Sequence, residues 1–210
     1  MSSGQLSEAR LYFITDLRPE TERVVEAVLQ NGVDLVQLRD REISDSALVA
    51  AGRRLAGLCR RHGALFLVND RPDLAVESGA DGVHVGQDDM PVEEVRAIVG
   101  PARLVGLSTH SRQQVEAAEG VDYISVGPVW QTPTKEGRAA VGLDLVKYAA
   151  DRARKPFFAI GGIDVAGAAE VVAAGATRIA VVRALRDAPD PGETARALRA
   201  ALGTRFKTKP

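Results

Sequence analysis

Gly32-Val33-Asp34-Leu35-Val36, Gly79-Ala80-Asp81-Gly82-Val83, Gly120-Val121-Asp122-Tyr123-Ile124 and Gly175-Ala176-Thr177-Arg178-Ile179 are four copies of one pattern. Each follows a stretch of helical spacing and runs into a short apolar segment. The glycine suits the left-handed residue that ends a helix. The Asp or Thr that follows suits a short turn into a strand. The copies precede the second, fourth, sixth and eighth apolar runs, so the repeating unit is two βα modules.

Outward from these copies, the predicted strands are Leu11–Thr15, Leu35–Leu38, Leu65–Val68, Gly82–Val85, Leu104–Leu107, Tyr123–Val126, Phe157–Ile160 and Arg178–Val182. Helical stripes lie between most of them. In Glu22–Gln30 the stripe is Val24, Val25, Ala27, Val28 and Leu29. Ser44 is placed to cap a helix that carries Leu48, Leu55 and Leu58, and Asp164 to cap Val165–Ala174. Eight strand–helix units in 210 residues meet the minimal requirement of a (β/α)8 TIM barrel. An open doubly wound sheet also alternates strands and helices. The count of eight and a repeat reaching both chain ends favour the barrel. Residues 1–210 are expected to form one domain, with a polar arm over residues 1–10 and a polar tail over residues 204–210.

The composition fits. Hydrophobic residues are 45%, aromatics only 4%, and glycines number 20, so the apolar content is mostly the aliphatic side chains of buried parallel strands. Lys plus Arg number 27 against 28 Asp plus Glu, a net charge of -1, which leaves no global positive excess for a nucleic acid backbone. Cys59 is the only cysteine, which excludes a disulfide or a cysteine cluster within the chain. No apolar run approaches the roughly 20 residues of a membrane span, and no secretory signal is visible, so a cytoplasmic location is expected.

In a barrel, chemistry sits at the C-terminal ends of the strands, and polar residues gather there. Gln37 and Arg39 share strand parity, so both can point into the barrel mouth, where Arg39 meets a bound anion or a barrel carboxylate, or it turns outward. Asp70 and Asp89 end the third and fourth strand regions. Either they hold a hard, oxygen-liganded cation such as Mg2+, or they cap the helices that follow. Thr132-Pro133-Thr134-Lys135-Glu136-Gly137 suits phosphate recognition or a closing lid, and equally a surface loop. Gly161-Gly162 precedes a helix, where glycine lets a phosphate approach the backbone, or it is a plain tight turn. His84, inside a strand, reads as a satisfied core histidine. His110 reads as either core or ligand.

Taken together, Leu11-Tyr12-Phe13-Ile14-Thr15-Asp16, the run Gly79 to Gln87 with Asp89, Gly106-Leu107-Ser108-Thr109-His110, Gly127-Pro128 with Thr132-Pro133-Thr134-Lys135, and Val181-Val182-Arg183-Ala184 resemble the thiamine phosphate synthase family. The resemblance implies a transferase that joins 4-amino-2-methyl-5-hydroxymethylpyrimidine diphosphate to 4-methyl-5-(2-phosphoethyl)thiazole. It also implies Mg2+ as cofactor, on Asp70 and Asp89. Arg39, Asn69 and Lys135, with Arg41 as a fourth, would hold the diphosphate. Gln37 and Ser108 would line the pyrimidine, and Ser108, Lys135 and Arg39 would act in catalysis. Thr132, Thr134, Gly162, Val182 and Arg183 would hold the thiazole phosphate. The family commonly has Lys where Arg41 stands, and also uses a small residue in place of Arg183. The implied partners are small phosphorylated molecules, with neither nucleic acid nor membrane and with self-association open. Two rivals share the barrel: a thiazole tautomerase, which would not need the full set of cations and carboxylates, and a non-catalytic thiamine phosphate-binding barrel.

Overall fold

The computed structural model describes residues 2–131 and 139–203. Eight parallel strands close on themselves in chain order, the last pairing with the first. They are β1 (Leu11–Thr15), β2 (Leu35–Leu38), β3 (Leu65–Asn69), β4 (Gly82–Val85), β5 (Leu104–Thr109), β6 (Tyr123–Val126), β7 (Phe157–Ile160) and β8 (Ile179–Val181). The helices are α1 (Ser2–Glu8), α2 (Thr21–Leu29), α3 (Asp45–Arg61), α4 (Pro72–Glu77), α5 (Val92–Val99), α6 (Arg112–Glu116), α7 (Gly142–Arg152), α8 (Val165–Ala173), α9 (Arg183–Arg186) and α10 (Pro191–Ala201). The fold is the (β/α)8 barrel, not the open sheet. No described helix is long and apolar enough to cross a membrane.

Strand parity divides the apolar residues into two cores. Leu11, Phe13, Val36, Phe66, Val83 and Val105 point outward and pack under the helices. Tyr12, Leu35, Leu65, Leu67, Leu104, Tyr123 and Phe158 point inward and fill the barrel. Burial on both faces is why these strands read as unbroken apolar runs.

The first ten residues differ from the expected polar arm. Residues 2–8 are helical, and Leu6 and Ala9, 4% and 1% exposed, join the inner core at the floor of the barrel. Leu6 and Ala9 are too few, among mostly polar neighbours, for sequence periodicity to register. The barrel's open lower end nonetheless supplies a site for both.

The repeat has a structural role beyond its turn. Gly32, Gly79, Gly120 and Gly175 all have positive φ, from 69° to 100°, as a helix-ending glycine requires. The aspartates reach across to the preceding strand. Asp34 Oδ2 accepts from Leu11 N at 3.0 Å, Asp81 Oδ2 from Phe66 N at 2.9 Å, and Asp122 Oδ2 from Val105 N at 2.8 Å. Each aspartate's own N–H donates to the carbonyl of that same residue. These clasps satisfy backbone groups at the barrel floor that the sheet ladder leaves over. At the fourth copy Thr177 presents its carbonyl to Arg10 Nε at 3.0 Å instead. Ser44 and Asp164 cap α3 and α8 as expected, accepting from Ala47 N and Gly167 N.

Candidate active site

A cavity of about 370 Å³ opens at the C-terminal ends of the strands. Gln37, Arg39, Arg41, Asn69, Asp70, Asp89, Ser108, Gly162, Val182 and Arg183 all line it. Thr132, Thr134 and Lys135 lie outside the described residues. The chain on either side of that segment is tied beside the cavity. Val129 N and Trp130 N donate to Ile160 O and Gly161 O at 2.8 and 3.0 Å, and Val141 N donates to Pro128 O at 2.8 Å.

One wall carries the charge. Asp70 follows β3 with φ of +60°, a left-handed conformation that aspartate tolerates better than most residues. Its N–H donates to His84 O at 2.8 Å. Asp89 Oδ2 accepts from Gly86 N at 2.7 Å and closes the turn after β4. Neither carboxylate caps a helix, because the N-cap positions of α4 and α5 are Arg71 and Pro91, without side-chain cap bonds. The capping alternative for Asp70 and Asp89 therefore fails. Instead their carboxyls meet within hydrogen-bond reach of one another. Burial raises the Asp70 pKa, the neighbouring Asp89 raises it further, and a 2.7 Å ion pair with Arg41 pulls against both. Among the described residues no group of three acidic, His or Cys side chains assembles. A cation here would rest on two carboxylates and take its other oxygens from ligand and water, as Mg2+ does in phosphate sites.

Arg39 stands beside this pair, half-buried. Burial, then Arg41, lower its pKa, while Asp70 and Asp89 raise it. Its guanidinium makes no ion pair among the described residues, so the cationic group is left for a ligand anion. Arg71, two residues from Asn69, turns away onto Asp45 and Asp73 at 2.8 and 2.7 Å.

The facing wall is backbone. Gly161 and Gly162 have φ of 102° and 72°. A Cβ at Gly161 would lie 2.5 Å from Pro128 Cα, and one at Gly162 would lie 2.8 Å from Trp130 Cβ. Trp130 packs on Gly162 and Gly167, which fits a loop anchor. Val182 and Arg183 complete this wall at the start of α9.

The floor is polar and extends beyond the expected Gln37 and Ser108. Tyr12 and Tyr123 are 1% and 0% exposed, and Gln37, His84, Ser108 and Ser125 are 1–7% exposed. His84 bonds Tyr123 Oη and Ser108 Oγ at 2.9 and 3.0 Å, so it is satisfied, as expected, but by the cavity floor. His110 Nδ1 contacts Gly127 O. Tyr12, Tyr123 and Ser125 escaped the sequence reading because each sits inside an apolar strand. Inward parity with Gln37 and Ser108 was the available signal.

Comparison with known proteins converges on one group. The thiamine-phosphate synthase of Acidothermus cellulolyticus is 50% identical over 206 residues, covering 95% of this chain and 97% of that protein. That of Thermosynechococcus vestitus is 51% identical over 196 residues, but the match covers 56% of that protein. The chain thus spans little more than half the length of the latter relative. The solved thiamine phosphate pyrophosphorylase from Pyrococcus furiosus superposes with a TM-score of 0.86 at 33% identity, covering 96% of this chain and 98% of that one. A 3-hexulose-6-phosphate synthase superposes at 0.65 with 21% identity, a likeness of fold alone. The thiamine monophosphate synthase family profile matches residues 11–185. That span takes in all eight strands and both walls of the cavity, and the chain belongs to this family.

Proposed function

We propose that the protein is a cytoplasmic, Mg2+-dependent thiamine phosphate synthase. It would join 4-amino-2-methyl-5-hydroxymethylpyrimidine diphosphate to 4-methyl-5-(2-phosphoethyl)thiazole, giving thiamine phosphate and diphosphate. The observation that carries the reading is the pairing of Asp70 and Asp89 beside Arg39 and Arg41, across the cavity from a glycine-lined backbone wall. One wall suits a metal-bound diphosphate and the other suits a phosphate monoester. The same arrangement supports the synthase over the tautomerase, whose proton transfer does not require a diphosphate wall.

Arg39, Arg41 and Asn69 take the diphosphate, with Lys135 assigned by family resemblance. Gln37 and Ser108 hold the pyrimidine. Gly162, Val182 and Arg183, with Thr132 and Thr134 by resemblance, hold the thiazole phosphate. The bond from the pyrimidine methylene carbon to diphosphate oxygen breaks, and its electron pair leaves with the diphosphate. The thiazole nitrogen lone pair then forms the new carbon–nitrogen bond. Asp70 and Asp89 would hold Mg2+, which would supply charge neutralisation to the departing diphosphate. The arginines add preorganised positive charge where negative charge grows, and the cavity aligns the two rings while excluding water. No protein nucleophile is needed.

The test is to mix protein, both substrates and Mg2+ and to measure thiamine phosphate and released diphosphate in equal amounts. Aromatised thiazole phosphate without diphosphate would indicate the tautomerase. Binding without turnover would indicate a non-catalytic barrel.

A further inference from the structure

The buried polar floor forms one continuous hydrogen-bonded chain whose two ends face the cavity. Only the Gln37 donor is fixed by its chemistry; the two phenols and the imidazole can run in either direction. Gln37 Nε2 donates to Tyr12 Oη. Tyr12 Oη and Tyr123 Oη lie 3.2 Å apart, and a chain that runs on from Gln37 has Tyr12 donate to Tyr123. In that direction Tyr123 donates to His84 Nδ1, 2.9 Å away. A neutral imidazole that accepts at Nδ1 carries its proton on Nε2, which meets Ser108 Oγ at 3.0 Å. Ser125 donates to the same oxygen at 3.4 Å. Both acceptor positions of Ser108 are thereby filled, and its O–H is left to donate into the cavity. At the other end Gln37 has used one of its two N–H groups and keeps Oε1 as an acceptor.

The chain is built rigidly. His84, Gly106 and Tyr123 are register partners on β4, β5 and β6. A Cβ at Gly106 would lie 2.2 Å from Tyr123 Cζ, so only glycine lets the tyrosine ring lie across β5 and meet the imidazole. Phe158 packs edge-on against Tyr12 and Tyr123, with centroids 5.3 and 5.5 Å apart. Burial raises the pKa of both phenols, which keeps both as O–H donors.

We propose that Tyr123 and His84 are positioning residues that fix Ser108 as a donor and Gln37 as an acceptor, selecting an aminopyrimidine over its oxo counterpart. An amino group gives to Gln37 Oε1 and an unprotonated ring nitrogen accepts from Ser108. A ring carbonyl with a ring N–H offers the reverse polarity at those two ring positions, so neither of these pairings forms. This inference rests on the proposed pyrimidine diphosphate reading of the site.

Calorimetry on the full chain with Mg2+ would compare 4-amino-2-methyl-5-hydroxymethylpyrimidine diphosphate with its 4-oxo analogue. Wild type should prefer the amino compound by roughly 100-fold or more, since a site built around hydrogen bonds rejects mismatched polarity strongly. Tyr123→Phe and His84→Leu should each shrink that ratio about tenfold. His84→Gln, whose amide can accept from Tyr123 and donate to Ser108, should restore it. A ratio unchanged in Tyr123→Phe and His84→Leu, both folded, overturns the proposal. Histidine 15N NMR tests it without any substrate. The His84 signal, assigned by its loss in His84→Gln, should report the Nε2–H tautomer, and the Nδ1–H tautomer would overturn it. If neither diphosphate binds wild type, the functional reading fails while the tautomer still decides the inference.

Discussion

Replacing Asp89 by Asn should inactivate the protein and make it more stable. Asp70 and Asp89 bring two carboxyls within hydrogen-bond reach in a partly buried wall. Two unit charges about 4 Å apart repel by about 4 kcal/mol at an effective dielectric of ~20. The Arg41 ion pair with Asp70, the attraction of Arg39 and Arg41 to Asp89 and the open cavity mouth offset much of that, leaving roughly 1 kcal/mol of net strain after solvent screening. Asn conserves shape, and its carbonyl can still accept from Gly86 N, so the turn after β4 should survive. For a chain of this size 1 kcal/mol corresponds to about 2–4 °C in Tm. Asp89→Asn should therefore melt a few degrees above wild type in EDTA. Wild type should gain Tm as Mg2+ is added, because a ligand of the folded state stabilises it by mass action. The variant should gain little, and its Mg2+-dependent formation of thiamine phosphate should fall by orders of magnitude. Differential scanning calorimetry across a Mg2+ titration, paired with the product assay, reads all three. An Asp89→Asn protein that melts lower in EDTA, still responds to Mg2+ and turns over normally would refute the paired-carboxylate reading.

Three further outcomes follow from the geometry. Gly161→Ala places a methyl 2.5 Å from Pro128 Cα at φ of 102°; it should cost about 2–4 kcal/mol in urea unfolding, and it should weaken thiazole phosphate binding before it weakens diphosphate binding. Leu6→Ala, at the floor plug, should cost about 2–4 kcal/mol while leaving KM for both substrates unchanged, and a KM shift would contradict a purely structural role. Cys59 is fully buried, and burial pushes its thiol up to about 12. It should resist thiol reagents until urea unfolds the chain. Because the folded pKa lies above the unfolded one, its stabilising contribution is intact below about pH 9 and is lost as pH rises toward 12. Cys59→Ala should accordingly flatten the fall in Tm over that alkaline range.

The fold was legible because its signal is repeated. Four Gly-x-Asp/Thr copies and eight apolar runs mark out the barrel, and strand ends were misplaced by at most two residues, as at β5, which continues through Ser108 and Thr109. The charged wall was legible too, since Arg39, Asn69, Asp70 and Asp89 are polar residues at the ends of apolar strands. What single positions could not convey is whether a carboxylate caps a helix or meets another carboxylate. That depends on how β3 and β4 are paired, with Asn69 opposite His84. The floor was hidden for a different reason. Tyr12, Tyr123 and His84 look like core residues, and they are buried like core residues, because a barrel turns half of every strand toward its axis. In this family member the upper layer of that axis is both packing and binding surface. A hydroxyl or imidazole there must be satisfied by its neighbours, and the neighbours that satisfy it also determine what it can offer a ligand. The inner parity of each strand is therefore the place to look for specificity in such a sequence, with polar residues on that parity read as a connected set.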